Sequence, residues 1–517
     1  MASPKRAMQL GPFMKGLNTF SDPSAVPDDG LAELLNMELD LDGSLVSRPP
    51  FHDTGINLPL GSTGNMILLG LFYTPAGAEY LIASDGLSKT YYLSGGSWVL
   101  LTNTFAATAM TQFDDKAWLL APTSSANPGG YWSPTLGFVA EPNMPKGTVI
   151  VAFKFRLWVA QGEQATTNGS RLYFSKLLGI TPFWPVAPEF IDIARGDGQN
   201  IVAIEHYYES LLVFRTSSIY KFSYNSDPAT GTIEVSVPNV GLASRWAIES
   251  HENYFYFFYD DRAYEYLNGR AQVISQAIKF QTSGGRSGFI VPIAVSVFND
   301  RALFTFYDTL YVFSLVTRTW SRWRTPSRGG IGRILERRNA DLPNPQAYAM
   351  RAIRPLGATD APLYRITDAI TTDHEDFQCI VRTKILSMDT PQLYKRLFWW
   401  GLDGIFRMEA RGTALPIVYG GSVTWGELYA KGITWGQLLF GTWGRPVAQG
   451  LSVETIRPEL GATAQRKFTK FMKKMRFRQI QFQVVFNTRG DDQTAPVRLF
   501  SLHAEVTPAQ TVSKAIS

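Results

Sequence analysis

The chain has 517 residues, 18% charged and 13% aromatic, with a formal charge of +5. This length exceeds one ordinary core and predicts two or three domains, although a closed propeller runs larger than usual. The mild positive excess does not by itself mark a nucleic-acid binder, and the one cysteine, Cys379, excludes an internal disulfide and a cysteine metal site.

Few charges and many aromatics suit a β-rich particle whose surfaces are partly buried against neighbours. The fold is expected to hold in a reducing cytoplasm, where the chain is made. Residues 1–16 carry Lys5, Arg6 and Lys15 but no apolar stretch of a signal peptide. No apolar run reaches the length of a membrane span, so none is expected.

In chain order, residues 1–63 read as an extended N-terminal arm. Within it, residues 16–47 hold seven acids and no Lys or Arg. Asp28-Asp29-Gly30 precedes Leu31, Leu34 and Leu35, the spacing of one face of a short Asp-capped helix. The arm then turns at Asp42-Gly43 and stops at Pro49-Pro50.

From residue 64 to 325 short apolar strands alternate with tight polar turns. A corner recurs: Phe113-Asp114-Asp115-Lys116-Ala117-Trp118, then Tyr259-Asp260-Asp261-Arg262-Ala263-Tyr264, then Phe298-Asn299-Asp300-Arg301-Ala302-Leu303. Looser copies are Phe153-Lys154-Phe155-Arg156-Leu157-Trp158 and Tyr207-Tyr208-Glu209-Ser210-Leu211-Leu212. Units of three or four strands fall at 66–101, 107–132, 148–175, 201–237, 246–275 and 293–323, which predicts a six-bladed β-propeller. Residues 326–376 form a connection or an additional blade, making seven the alternative count. Residues 377–510 have longer strands and predict a separate C-terminal β-sandwich with a Trp-Gly loop at Trp425, Trp435 and Trp443. Residues 511–517 read as a loose tail. The expected class is all-β.

Three features together resemble tail proteins of tailed bacteriophages, the propeller-containing nozzle, hub and minor tail (tip) class. One is Lys15-Gly16-Leu17-Asn18-Thr19 followed by Leu35-Asn36 and Asp42-Gly43-Ser44-Leu45-Val46-Ser47-Arg48-Pro49. The second is Gly198-Gln199-Asn200-Ile201 leading to Leu211-Leu212-Val213-Phe214-Arg215 and Ser218-Ile219-Tyr220-Lys221-Phe222, which is similar to their blade. The third is the repeated Thr-Trp-Gly, at Thr424, Thr434 and Thr442, which resembles loops in minor tail proteins of phages that infect actinobacteria. The resemblance covers about two-thirds of the chain and maps no catalytic residue onto it. It implies a structural virion component, a homo-oligomeric ring, nozzle or tip that touches copies of itself and other tail proteins. Made in the host cytoplasm, it would sit in the tail, around or beside the path of genome ejection.

Several residues are candidates for contact. Arg318, Arg322, Arg324, Arg328, Arg333, Arg337 and Arg338 read as a basic collar for DNA phosphates or an acidic partner, or as a solvated connection. Arg466, Lys467, Lys470, Lys473, Lys474, Arg476 and Arg478, interleaved with Phe468, Phe471 and Phe477, read as a docking segment for the acidic arm of another copy, around Asp28 and Asp29. The same segment also fits a core strand or a single-strand nucleic-acid site. Trp425, Trp435 and Trp443 suit subunit packing or stacking on a host-surface glycan.

No enzyme is expected. Asp114-Asp115 and Asp260-Asp261 could suggest paired acids of a glycosidase, but adjacent turn residues point apart and Asp is favoured in turns. His52, His206, His251, His374 and His503 have no metal-ligand spacing, Gly284-Gly285-Arg286-Ser287-Gly288 is no phosphate loop, and no nucleophile elbow occurs. No cofactor is expected.

Overall fold

The repeated corner is a two-residue hairpin turn. In the computed structural model, Asp114 and Asp115 (φ 52° and 53°), Asp260 and Asp261 (47° and 57°) and Asn299 and Asp300 (45° and 57°) are consecutive left-handed residues. This is the geometry whose twist matches the flanking strands, and short polar side chains tolerate it. Lys154 and Phe155 adopt it too (46° and 57°), with a bulky residue that costs ~1–2 kcal/mol there. The corner does not keep one place in the repeat. Asp114-Asp115 and Asn299-Asp300 join first and second strands, whereas Asp260-Asp261 joins second and third. It therefore marks hairpins rather than blades.

The structure describes residues 6–57, 67–162, 165, 167–280, 292–306, 309–326, 331–337, 345–351, 362–367, 373, 376–386, 395–405, 410–418, 447–448, 454–456, 466–477, 479–488 and 497–508. Each of the six units expected from the sequence forms a four-stranded antiparallel blade. Blade 1 is Ile67–Tyr73, Glu79–Ser84, Thr90–Ser94 and Ser97–Thr102; blade 2 is Ala109–Phe113, Lys116–Leu120, Gly130–Ser133 and Gly137–Ala140. Blade 3 is Val149–Phe153, Arg156–Ala160, Arg171–Phe174 and Glu189–Asp192; blade 4 is Ile201–Tyr207, Ser210–Arg215, Ser218–Ser223 and Thr232–Pro238. Blade 5 is Ile248–His251, Tyr254–Tyr259, Arg262–Leu267 and Arg270–Val273; blade 6 is Ala294–Phe298, Arg301–Thr305, Thr309–Ser314 and Trp320–Arg324.

Residues 326–376 supply an additional blade. Its strands are Ile331–Glu336, Gln346–Arg351 and Pro362–Thr367, and its fourth is Phe51–Asn57 from the N-terminal region. Tyr364 pairs with Asp53 and Ile366 with Phe51. With this blade, the alternative count of seven is realised. Leu68, Leu81 and Tyr91 of blade 1 then pack with Leu335, Met350 and Leu363 of blade 7, closing the circle. Closure by a strand from the far end of the chain leaves no blade incomplete.

The helix expected around Leu31 to Leu35 is instead the strand Gly30–Leu35. It pairs with Phe377–Thr383, and a register shift between Leu31 and Glu33 resets the alternation. Leu31 and Leu34, three apart, are consequently both fully buried, which imitates a helical face. The region is not a projecting arm. Gly30–Leu35 also meets blade 6 at Leu35 and Arg322, so blade 6 continues into Phe377–Thr383, Gln479–Thr488 and Ala410–Val418.

A second sheet holds Arg466–Phe477, Lys395–Ile405, Arg498–Pro508, Leu45–Ser47 and Met37–Leu39, with Arg6–Leu10 also on Arg498–Pro508. Trp400 of this sheet lies 5.2 Å from Phe482 of the other. Leu31, Leu45, Leu397 and Leu502 share one hydrophobic cluster with Phe304 and Trp320 of blade 6. The sheets over 377–510 are thus joined to the propeller by a common core rather than standing apart. No helix among the described residues is long and apolar enough to cross a membrane.

Candidate functional site: the ring axis and the turn face

Inner strands of a closed ring face its axis, and here three of them are bridged by one side chain. Arg333 of blade 7 donates from Nη2 to Glu249 of blade 5 at 2.9 Å and from Nη1 to the Leu69 carbonyl of blade 1 at 3.0 Å. Blades 5, 7 and 1 are not all neighbours, so the contact crosses the axis. Trp246, just before blade 5, packs against the cluster of blades 1 and 2 and lies 5.4 Å under the Arg333 guanidinium.

Glu205, on the inner strand of blade 4, completes the group. It is half-buried, and burial, then the nearby Glu249 carboxylate, pushes its carboxyl up to about 8, with Arg333 opposing. The axis therefore holds an Arg–carboxylate pair beside a carboxyl that burial pushes well above the usual carboxylate range. Sequence reasoning named Arg333 but not its partners. The available signal was a lone Glu in the apolar run Ile201–Tyr207.

The collar arginines are not gathered on one surface. Arg322 meets Glu33 at 3.2 Å, Arg337 meets Glu79 at 2.9 Å, and Arg318 grips both oxygens of Glu265 at 2.9 and 2.6 Å. The Arg324 amide donates to the Asn36 side chain, while Arg328 and Arg338 lie outside the described residues. These ion pairs tie blade to blade or blade to N-terminal strand, a role that needs no phosphate.

The acids of the N-terminal region are also engaged within the chain. Asp28 pairs with Lys384, Asp29 with Lys15 at 3.5 Å, Glu38 with Arg301, and Asp40 with Arg498 at 3.2 Å. The Asp28 side chain stays 90% exposed while it pairs with Lys384. Arg466, Lys467, Lys470, Lys473, Lys474 and Arg476 lie on the strand Arg466–Phe477. Trp425, Trp435 and Trp443 fall outside the described residues, as does Arg478. A cleft of about 440 Å3 between Glu38–Pro50 and the blade 6 turns is lined by the paired Glu38, Arg301, Asp40 and Arg498.

The turn acids sit where hairpin geometry wants them. Asp114 pairs with Lys116, two residues on, and Asp115 is exposed at φ 53°. Asp115→Gly should stabilise the hairpin by about 0.5 kcal/mol, since Gly suits that conformation. A thermal melt checks it; a marked loss of stability would contradict the turn role.

The motifs behind the resemblance have structural duties here. Gly43 sits at φ 80°, where an added Cβ would come within 2.7 Å of Pro12 Cβ, and Arg48 is the centre of a buried ion pair. Arg215 is fully buried and binds Asp197 and the Gln199 carbonyl at 2.6 Å, anchoring the entry to blade 4. Among the described residues no group of three or more His, Cys, Asp or Glu could hold a metal ion.

No family model matches the chain, and no curated protein matches it in sequence. Solved structures similar to it include the β-propeller domain of Cps50 (Swd1) from Myceliophteria thermophila, at 10% identity and TM-score 0.40, covering 61% of this chain and 99% of that one. The Pan2 WD40 domain of Neurospora crassa is similar at 9% identity and TM-score 0.34, covering 59% and 96%. A computationally designed protein, Ika8, is similar at 8% identity and TM-score 0.35, covering 62% and 99%. The propeller itself is read from strand pairing.

Proposed function

We propose that the chain is a non-enzymatic structural component of a bacteriophage tail. It takes its place in the virion as part of a ring, nozzle or tip, through contacts with copies of itself and with other tail proteins. The observation that carries this reading is the single core joining propeller and terminal sheets, which makes one stiff body from a long chain. The motifs that resemble tail proteins, Asp42–Pro49 and Gly198–Arg215, are among the residues that hold that body together.

The bridged axis bears on how DNA would pass. With Arg333 reaching across to Glu249 and Leu69, one propeller offers no bore for a genome. A DNA path would run between copies, where transient phosphate contact is still open to it. A sugar-cleaving alternative would have to rest on Glu205 and Glu249, the two carboxyls at the axis, of which Glu249 is paired with Arg333. A glycan-binding tip would rest on Trp425, Trp435 and Trp443. Trp435→Ala is the discriminating change: intact particles that fail to adsorb favour glycan binding, and missing particles favour assembly.

The direct test is mass spectrometry and antibody-gold labelling of purified particles from the phage that carries this gene. The chain is expected in every particle, at the tail, and its deletion should leave heads without functional tails. Its absence from purified particles would overturn the reading.

A further inference from the structure

Strands alternate in direction within a blade, so the turns after the first and third strands emerge on one face of the ring. On blades 3 and 4 this face carries Phe155, Leu177, Leu178, Ile180, Val186 and Tyr208, all exposed, with Phe155 at 71% and Val186 at 86%. The face is continuous and held in place. The Leu178 amide donates to the Phe155 carbonyl at 2.9 Å, so the loop 177–188 lies against the corner of blade 3. Phe183 of that loop stacks on Phe113 of blade 2 at 6.0 Å, and Asn143 donates to the Trp184 carbonyl at 3.3 Å. On the other side Lys154 reaches Glu209 at 3.2 Å and the Tyr224 carbonyl at 2.8 Å, both on blade 4. A monomer rarely leaves contiguous apolar surface larger than about a few hundred Å2, and six such side chains in one arc reach that size.

Two of these residues are poorly suited to their backbone. Phe155 has φ 57° and Tyr208 φ 51°, whereas the first-to-second-strand corners of blades 2 and 6 use Asp and Asn in that conformation. A bulky side chain there is an outlier, and one that is also exposed gains little burial for the fold. Strain kept at a solvent-facing apolar patch marks a contact surface.

The charges around the patch narrow what can cover it. Lys154 lies beside Glu209, Lys176 beside Glu189 and Lys116 beside Asp114, with Asp115 and Asp227 exposed on the same face. Nucleic acid and acidic membranes call for a basic surface, and here the acids outnumber the lysines. A strongly basic partner would meet the three lysines. A second copy suits both signs at once. Turned by a twofold, it brings an acid to each lysine and a lysine to the matching acid, because one patch supplies both sides. The apolar residues then meet their own kind at the centre, with the charges at the rim.

We propose that the turn face of blades 3 and 4 closes against the same face of a second copy in a twofold pair. This rests on the reading above, in which the chain contacts copies of itself, and names the surface and its symmetry. A twofold contact uses up each patch, so the pair does not grow further. Light scattering across a concentration series of the purified full chain should show dimers and nothing larger. Phe155→Gly suits the left-handed turn, so it should keep or raise the melting temperature while weakening the dimer about tenfold or more. Val186→Ser, at a side chain 86% exposed, should leave the melting temperature unchanged and weaken the dimer likewise. Cross-linking of mixed isotope-labelled copies should join Lys154 or Lys176 of one copy to Lys154 or Lys176 of the other.

A monomer at all concentrations would overturn the pair and leave the face to a different protein. Oligomers that keep growing with concentration, or that ignore both Phe155→Gly and Val186→Ser, would overturn it by showing that copies join elsewhere. The two proposals fail separately. A monomeric chain found in purified particles ends this contact and leaves the tail reading standing; a twofold dimer absent from particles does the reverse.

Discussion

Replacing Arg48 by Met should destabilise the protein by about 3–5 kcal/mol, the range for breaking a buried ion pair from one side. Arg48 Nη1 lies 2.8 Å from Asp373, and the two side chains are 1% and 0% exposed. The same guanidinium binds Asn36 Oδ1 and the Pro49 carbonyl and sits 4.0 Å over the Phe377 ring. Asp373 in turn accepts from the Phe51 amide at 3.0 Å. One buried cation thus ties the N-terminal strands, the strand that closes blade 7, and the entry to the terminal sheets. Met fills similar volume but removes the cation that Asp373 meets in a buried site. Lys would keep the charge but not the fork that holds Asp373 and Asn36 together. Denaturant titration reads the loss directly. The double variant Arg48→Met with Asp373→Asn should lose clearly less than the two single losses added, because the stranded charge is gone. A single-variant loss below about 1 kcal/mol would contradict the burial of the pair.

What the sequence makes legible follows from the range of each interaction. Strands such as Ser210–Arg215 and Tyr254–Tyr259 are readable because apolar runs bounded by turn residues are local signals, and Asp114-Asp115 is readable as a turn for the same reason. Blade 7 is only half legible. Its fourth strand, Phe51–Asn57, lies some three hundred residues upstream of Tyr364, and nothing local to either segment announces the other. Gly30–Leu35 misleads in a different way. A bulge at Leu31 and Glu33 places two leucines three apart on one buried face, so the helical spacing has a strand cause. Arg333 is visible in the sequence as one arginine among seven. Its task is set by a ring that brings blades 5, 7 and 1 to a common axis, and no spacing rule reports that. The pairing of the acids of residues 16–47 is not legible locally, because their cations, Arg301, Arg322, Lys384 and Arg498, come from remote parts of the chain.

The axis should make stability depend on pH in a way one substitution removes. Glu205 has its carboxyl raised from 4.5 to about 8. Between those values the folded chain keeps a proton that the unfolded chain has lost, so stability falls as pH rises through the window and levels off above about 8. One such group contributes at most ~1.4 kcal/mol per pH unit. Water reaches the half-buried side chain, so a total near ~2 kcal/mol across the window is the reasonable size. Glu205→Gln mimics the neutral acid and should flatten that slope, leaving it less affected than the native chain at pH 9 and equal to it near pH 5. Arg333→Met acts in the opposite direction. It removes the cation that opposes the shift and leaves Glu249 unpaired beside Glu205, so it should cost about 2–4 kcal/mol at pH 9. At pH 6 the loss should be smaller, since Glu205 then keeps its proton and does not repel Glu249. Combining the changes separates the effects: Glu205→Gln should recover part of the pH 9 loss of Arg333→Met by deleting the like-charge repulsion. Denaturant midpoints of the four proteins at several pH values decide the matter. Parallel pH profiles for native chain and Glu205→Gln would show that Glu205 is not the neutral member of the axis, and the ion pair of Arg333 and Glu249 would then hold the blades together alone.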